Sequence, residues 1–123
     1  MKEKICFDKF GVMIDCSRNA VMNVSAFKKM ADILSSLGYN TIRLYTEDTY
    51  EVDGEPYFGY LRGRYSKAEL QEMDAYAAER GVELIPCIQT LAHLGAIFRY
   101  AEYGLDGERE VCCPGWIGTG IED

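Results

Sequence analysis

Histidine, paired cysteines, clustered positive charge and long apolar runs are all scarce in this chain, and each scarcity excludes something. The 123 residues include one histidine, and the five cysteines form no C-x-x-C pair, so a zinc knuckle or a disulfide framework is not expected. Cys6, Cys16 and Cys87 read as small buried apolar residues, while Cys112 and Cys113 sit side by side in a Gly-rich tail with no histidine spacing to complete a metal set. Neither a metal nor a cofactor is therefore expected. Lysine and arginine never cluster, and the net charge is -7. A nucleic-acid partner is disfavoured, because such partners call for concentrated positive charge, and small neutral or cationic ligands fit better. No run approaches the ~18 apolar residues of a membrane span. The opening MKEKICFDKF has basic residues but no apolar stretch behind them, so no membrane association is expected and a cytoplasmic location is.

What is present is the composition of a globular domain, with 48% apolar and 27% charged residues. The length suffices for one core but not for a complete (β/α)8 barrel of about 250 residues. Patterning predicts strand, helix, strand, long loop, helix, strand, the alternation of a parallel α/β architecture. The first strand is GVMIDCS, 11 to 17. Ser25 offers an N-cap to a helix whose inner stripe is Phe27, Met30, Leu34 and Leu37, and Gly38 stops it. NTIRLYT, 40 to 46, is the second strand. Ser66 and Glu69 form an S-x-x-E capping box opening a second helix, with Leu70, Met73 and Ala77 inward, Glu69 and Glu72 at its positive end, Arg80 at its negative end and Gly81 after it. ELIPCIQTLAHL, 83 to 94, reads as a buried strand of Leu84, Ile85, Cys87 and Ile88 running into a polar tip with Gln89, Thr90 and His93.

In parallel βαβ units every strand points the same way, so three polar tips share one face: Asp15 to Arg18, Thr46 to Asp48, and Gln89 to His93. This is the face on which barrel enzymes carry their chemistry. Between the second strand and second helix, residues 47 to 65 hold five aromatics, two arginines and three glycines. A loop of that length is functional or disordered, and the aromatics argue against disorder. They suit stacking on a sugar ring or packing over the rim.

Together, IDCSRNAV, LYTEDTYE, PYFGYLRGRYS and ELIPCIQTLAHL resemble glycoside hydrolase family 20, the β-N-acetylhexosaminidases, over about residues 9 to 103. The resemblance implies an α/β chain forming part of a TIM (β/α)8 barrel, about its first three β/α units. It also implies an N-acetylhexosamine-containing glycan as ligand. Carried over by motif, the substrate-binding arginine is Arg18, with Asp15 and Gln89 beside it, and a salt bridge to Asp15 is the structural alternative for Arg18. The acidic pair falls on Glu47 and Asp48 and the histidine on His93. In the family these form a relay in which a carboxylate orients the imidazole that tunes a general-acid glutamate. Glu47 stands where many relatives have aspartate, which leaves open whether Glu47 or Asp48 faces His93. A satisfied structural role is the bland alternative for His93. The family's chemistry is substrate-assisted: the sugar's acetamido oxygen attacks the anomeric carbon while an Asp-Glu pair after the fourth strand steadies the amide and protonates the leaving oxygen.

No such pair follows a fourth strand in this chain. From 104 to 123 the Gly-rich tail lacks apolar periodicity, and Glu122 and Asp123 at its end have no strand before them. The expectation is an irregular tail, truncated or frame-shifted, behind the 1–103 barrel portion, with a natural short protein as the alternative. Its open sheet edges would invite a homo-oligomer. A non-catalytic carbohydrate- or protein-binding module, or another sugar-processing barrel, are the competing functional readings.

Overall fold

A computed structural model of the chain describes residues 7–18 and 20–89. Three five-residue strands, β1 (Gly11–Asp15), β2 (Thr41–Tyr45) and β3 (Glu83–Cys87), form a parallel sheet in the order β1-β2-β3. Helices α1 (Val24–Ser36) and α2 (Lys67–Glu79) connect them. The α/β alternation expected from patterning is the one observed, and the sheet is parallel because each return journey is made by a helix.

The helix boundaries follow from capping chemistry. At α1 the cap is Asn23, whose Oδ1 accepts from the Ala26 amide at 2.8 Å. Ser25 therefore lies inside the first turn, which corrects the expectation that it caps the helix. At α2 the capping box is as expected: Ser66 Oγ accepts from the Glu69 amide, and the Glu69 carboxylate accepts from the Ser66 amide at 2.8 Å. Both helices end in the same device. Gly38 and Gly81 take φ of 87° and 69°, and the next residue's amide reaches back, Tyr39 to the Leu34 carbonyl and Val82 to the Ala77 carbonyl.

The core lies on one face of the sheet. Phe27, Ala31 and Leu34 of α1 and Met73 and Ala77 of α2 pack with Ile42 and Leu44, and Val12, Ile14 and Leu84 join from the outer strands. Strand alternation puts Met13, Arg43 and Ile85 in one register row on the opposite face. On that face Met13 is 57% exposed and Arg43 is exposed, while Ile85 is half-buried. Two apolar expectations fail here for physical reasons. Leu37 is the C-cap of α1 and exposed, because the turn at Gly38 carries it off the inner stripe. β3 is half-buried rather than buried, being packed on one face only, and Ile88 beyond it is exposed. Cys16 is buried and Cys87 half-buried. Cys6, Cys112, Cys113 and the whole 104–123 tail lie outside the described residues.

The capping box has a pH signature. Hydrogen bonds from the Ser66 backbone and side chain hold the Glu69 carboxyl below its ordinary value of 4.5. A carboxyl with a depressed folded pKa contributes stability above the unfolded value, and that contribution is lost as pH falls through the folded one. Urea midpoints should therefore drop on acidification below about pH 4.5, and drop less in Glu69→Gln. Identical pH slopes for the two chains would remove Glu69 from the account.

Candidate functional site

At the end of β1 the chain makes a side-chain-stabilised turn. Asp15 Oδ1 accepts from the Ser17 amide at 2.8 Å and from Ser17 Oγ at 2.6 Å. These bonds hold the Asp15 carboxyl below its ordinary range, with Arg18 adding a smaller pull in the same direction. The turn buries Cys16 and Ser17 and leaves Arg18 projecting, its side chain 69% exposed.

At the end of β2 the polar tip is buried. Glu47 and Asp48 are only 3% and 2% exposed, and Thr46 and Thr49 are buried beside them. Thr49 Oγ1 bridges the two strand ends, lying 2.9 Å from the Cys16 carbonyl and 2.8 Å from the Thr46 carbonyl. Glu47 has φ of 50°, a left-handed conformation that costs a non-glycine residue of order 1–3 kcal/mol and persists only where the surroundings impose it.

Two arginines meet these carboxylates. Arg18 Nη2 lies 3.6 Å from Glu47 Oε1. Arg62, from the long loop, donates through Nε to Asp48 Oδ1 at 3.1 Å and through Nη2 to the Ser17 carbonyl, with Nη2 3.6 Å from Glu47 Oε2. Among the described residues Glu47 Oε1 and Thr46 Oγ1 have no hydrogen-bond partner, although both are buried. A buried carboxylate oxygen facing an arginine that is too distant for a hydrogen bond is poised to accept from something else.

The loop is ordered by its own contacts. Tyr50 and Tyr65 form a parallel bridge, Tyr50 and Phe58 pack at 5.0 Å, and Tyr57 and Tyr60 meet edge-on at 6.1 Å. Tyr65 is buried, and its hydroxyl donates to the Met22 carbonyl, so part of the aromatic content is spent on packing the loop onto the chain. Tyr57 and Tyr60 remain partly exposed.

Of the residues singled out from sequence, the structure brings Arg18, Glu47 and Asp48 together. Arg18 pairs with Glu47 rather than with Asp15, which is occupied by Ser17. Gln89 is half-buried just past β3, and His93 and Thr90 lie outside the described residues. Arg62 and Thr49 were not anticipated. The signal for Arg62 was available in kind: two adjacent acids that become buried require a nearby cation, and the loop carries two arginines.

A model of the glycosyl hydrolase family 20 catalytic domain matches residues 7–117, reaching past Tyr103, where the motif likeness ends. Among solved structures, Streptomyces plicatus N-acetyl-beta-hexosaminidase, in complex with Thio-NAglucal, is 28% identical, with a TM-score of 0.72 over 94% of this chain and 25% of its own. The beta-N-acetylhexosaminidase of Streptomyces coelicolor A3(2) is 27% identical with a TM-score of 0.64, over 94% of this chain and 26% of its own. That of Bacteroides fragilis is 27% identical with a TM-score of 0.64, over 74% and 22%. No curated protein sequence matches. The chain thus spans about a quarter of the length of the two Streptomyces enzymes. With its fold and its match over most of its residues, the chain belongs to glycosyl hydrolase family 20 and corresponds to an N-terminal portion of that family's catalytic domain.

Proposed function

We propose that this chain forms one wall of a β-N-acetylhexosaminidase pocket, the first three β/α units of a (β/α)8 barrel that takes a terminal N-acetylhexosamine. The observation that carries this is the buried Glu47–Asp48 pair at the end of β2, with Arg18 3.6 Å from Glu47. In this reading the exposed guanidinium of Arg18 donates to sugar hydroxyls while Glu47 holds it, an arrangement whose charge-assisted bonds are strong and directional. The unpartnered Glu47 Oε1 awaits a donor, either His93 or a sugar hydroxyl. His93 then serves as the intermediary between the acidic pair and a general acid. Hydrolysis itself is substrate-assisted and retaining, and needs the Asp-Glu pair that steadies the acetamido group and protonates the leaving oxygen. The 123-residue chain by itself therefore binds sugar without turning it over.

An amide-resolved titration with N-acetylglucosamine tests this. Signals at 15–18 and 46–48 should move, and Arg18→Ala should weaken binding about tenfold or more, as loss of charged hydrogen bonds does. A chromogenic N-acetylglucosaminide should stay intact. Unmoved signals sink the sugar site, an unchanged Arg18→Ala affinity removes Arg18 from it, and turnover contradicts the proposed inactivity.

A second reading is favoured by the exposed Met13 on the sheet face opposite the helices. Two copies covering that face would make a non-catalytic dimeric module, and a light-scattering mass of twice 13.9 kDa would support it.

A further inference from the structure

Two adjacent buried carboxylates repel one another, and in a poorly solvated setting one of them takes a proton unless a cation is close. Every described charge facing this pair can be named. Arg18 approaches Glu47 from the β1 side and is mostly exposed, with Asp15 near it. Arg62 approaches both acids from the loop, and its side chain is only 19% exposed. Burial raises the Tyr50 phenol, and the nearby Asp48 charge adds to it. Arg18, mostly exposed and only 3.6 Å from Glu47 through one nitrogen, keeps donors for a ligand. Arg62 has its fork spent on Asp48 and the Ser17 carbonyl, with Glu47 beside it.

We propose that Arg62 is a positioning residue of the sugar site: its guanidinium carries the charge of the Glu47–Asp48 pair and ties that pair to the end of β1, which leaves Arg18 free to turn to a ligand. The part concerning the ligand rests on the sugar-pocket reading above; the part concerning the acidic pair does not. Gly59 supports the arrangement from below, since its backbone lies against the Asp48 carbonyl so closely that a side chain would not fit.

Amide and carboxyl-carbon NMR of the full 123-residue chain follows both strand ends directly. Arg62→Met should move the signals of 15–18 together with those of 46–48, because the tie between the Ser17 carbonyl and the acidic pair is lost. Arg62→Lys, which keeps the charge, should bring part of this back. Unmoved signals at 15–18 and 46–48 in folded Arg62→Met overturn the proposal. If Arg62→Met does not fold, Arg62→Lys against Arg62→Gln decides: the charged variant should keep more of the native signals at 15–18 and 46–48, and equal loss in the two overturns the proposal. Affinity for N-acetylglucosamine supplies the second readout: it should fall about tenfold or more in Arg62→Met and return in large part in Arg62→Lys, whereas a defect of packing alone would not be rescued by the charge. If the unaltered chain does not bind the sugar, the pocket reading fails while the strand-end signals still judge Arg62.

Discussion

Gly59→Ala is expected to detach the aromatic loop from the acidic pair while leaving the sheet and helices standing. A Cβ at this position would sit 2.0 Å from the Asp48 carbonyl oxygen and 3.2 Å from the Arg64 Cβ. The first contact is with backbone, so it cannot be relieved by a rotamer change. The residue also has φ of 65°, where alanine costs about 1–2 kcal/mol. Relief of the overlap by moving the backbone adds about 1–3 kcal/mol. The turn around Gly59 is held by Arg64 donating to the Pro56 and Phe58 carbonyls, so displacement there should propagate to Arg62. Amide spectra should change over residues 46–65 and little in α1, with a lowered urea midpoint. Gly54→Ala is the control: φ there is 85° and nothing lies within 4 Å of the point where its methyl group would stand, so only the conformational cost of about 1 kcal/mol applies. Superimposable spectra for Gly59→Ala and the unaltered chain would show that the close approach does not constrain the loop.

Phe27→Ala should do the opposite, removing the fold rather than the site. Phe27 is fully buried where α1 meets the sheet and α2. Truncating a buried phenylalanine costs about 3–5 kcal/mol, against a total of about 5–15 kcal/mol for an ordinary domain. Three short strands and two helices bury little surface, which places this chain toward the lower end of that range. A cooperative urea transition should shift to much lower denaturant or vanish. Ile33→Ala on the same helix, at an exposed position, should change stability by no more than about 0.5 kcal/mol. Equal effects of the two substitutions would mean that the helix does not pack as described.

Element types were legible in the sequence because periodicity and stop signals agreed: the Phe27, Leu34, Met73 and Ala77 stripes, the Ser66–Glu69 box, and Gly38 and Gly81 after the helices. Details decided by backbone direction were not. Asn23 and Ser25 are both good cap residues, and only the extended backbone at Asn23 selects it. Leu37 obeys the helical spacing yet faces solvent, because the helix ends one residue before it. A salt bridge to Asp15 was the structural alternative for Arg18, but Ser17 satisfies Asp15 locally and Arg18 turns to Glu47. For Arg62 the need for a cation beside two buried acids was legible, but not which of the loop's two arginines meets it, because no period encodes the path of a long irregular loop. Of the four motif strings that suggested the family, three lie at strand ends, and the fourth, PYFGYLRGRYS, lies in the long loop and carries Arg62.

The identical endings of α1 and α2 have a consequence at the far side of the molecule. Each Gly turn returns the chain to the sheet, and Gly11, Thr41 and Glu83 enter it level with one another. Strands of five residues then act as spacers of equal length, about 17 Å each, and their tips finish level as well. The site is thus gauged from the opposite end of the sheet. One residue added between Gly38 and Thr41 would lift the β2 tip by roughly 3.3 Å and turn its side chains over, and Glu47 would no longer meet Arg18.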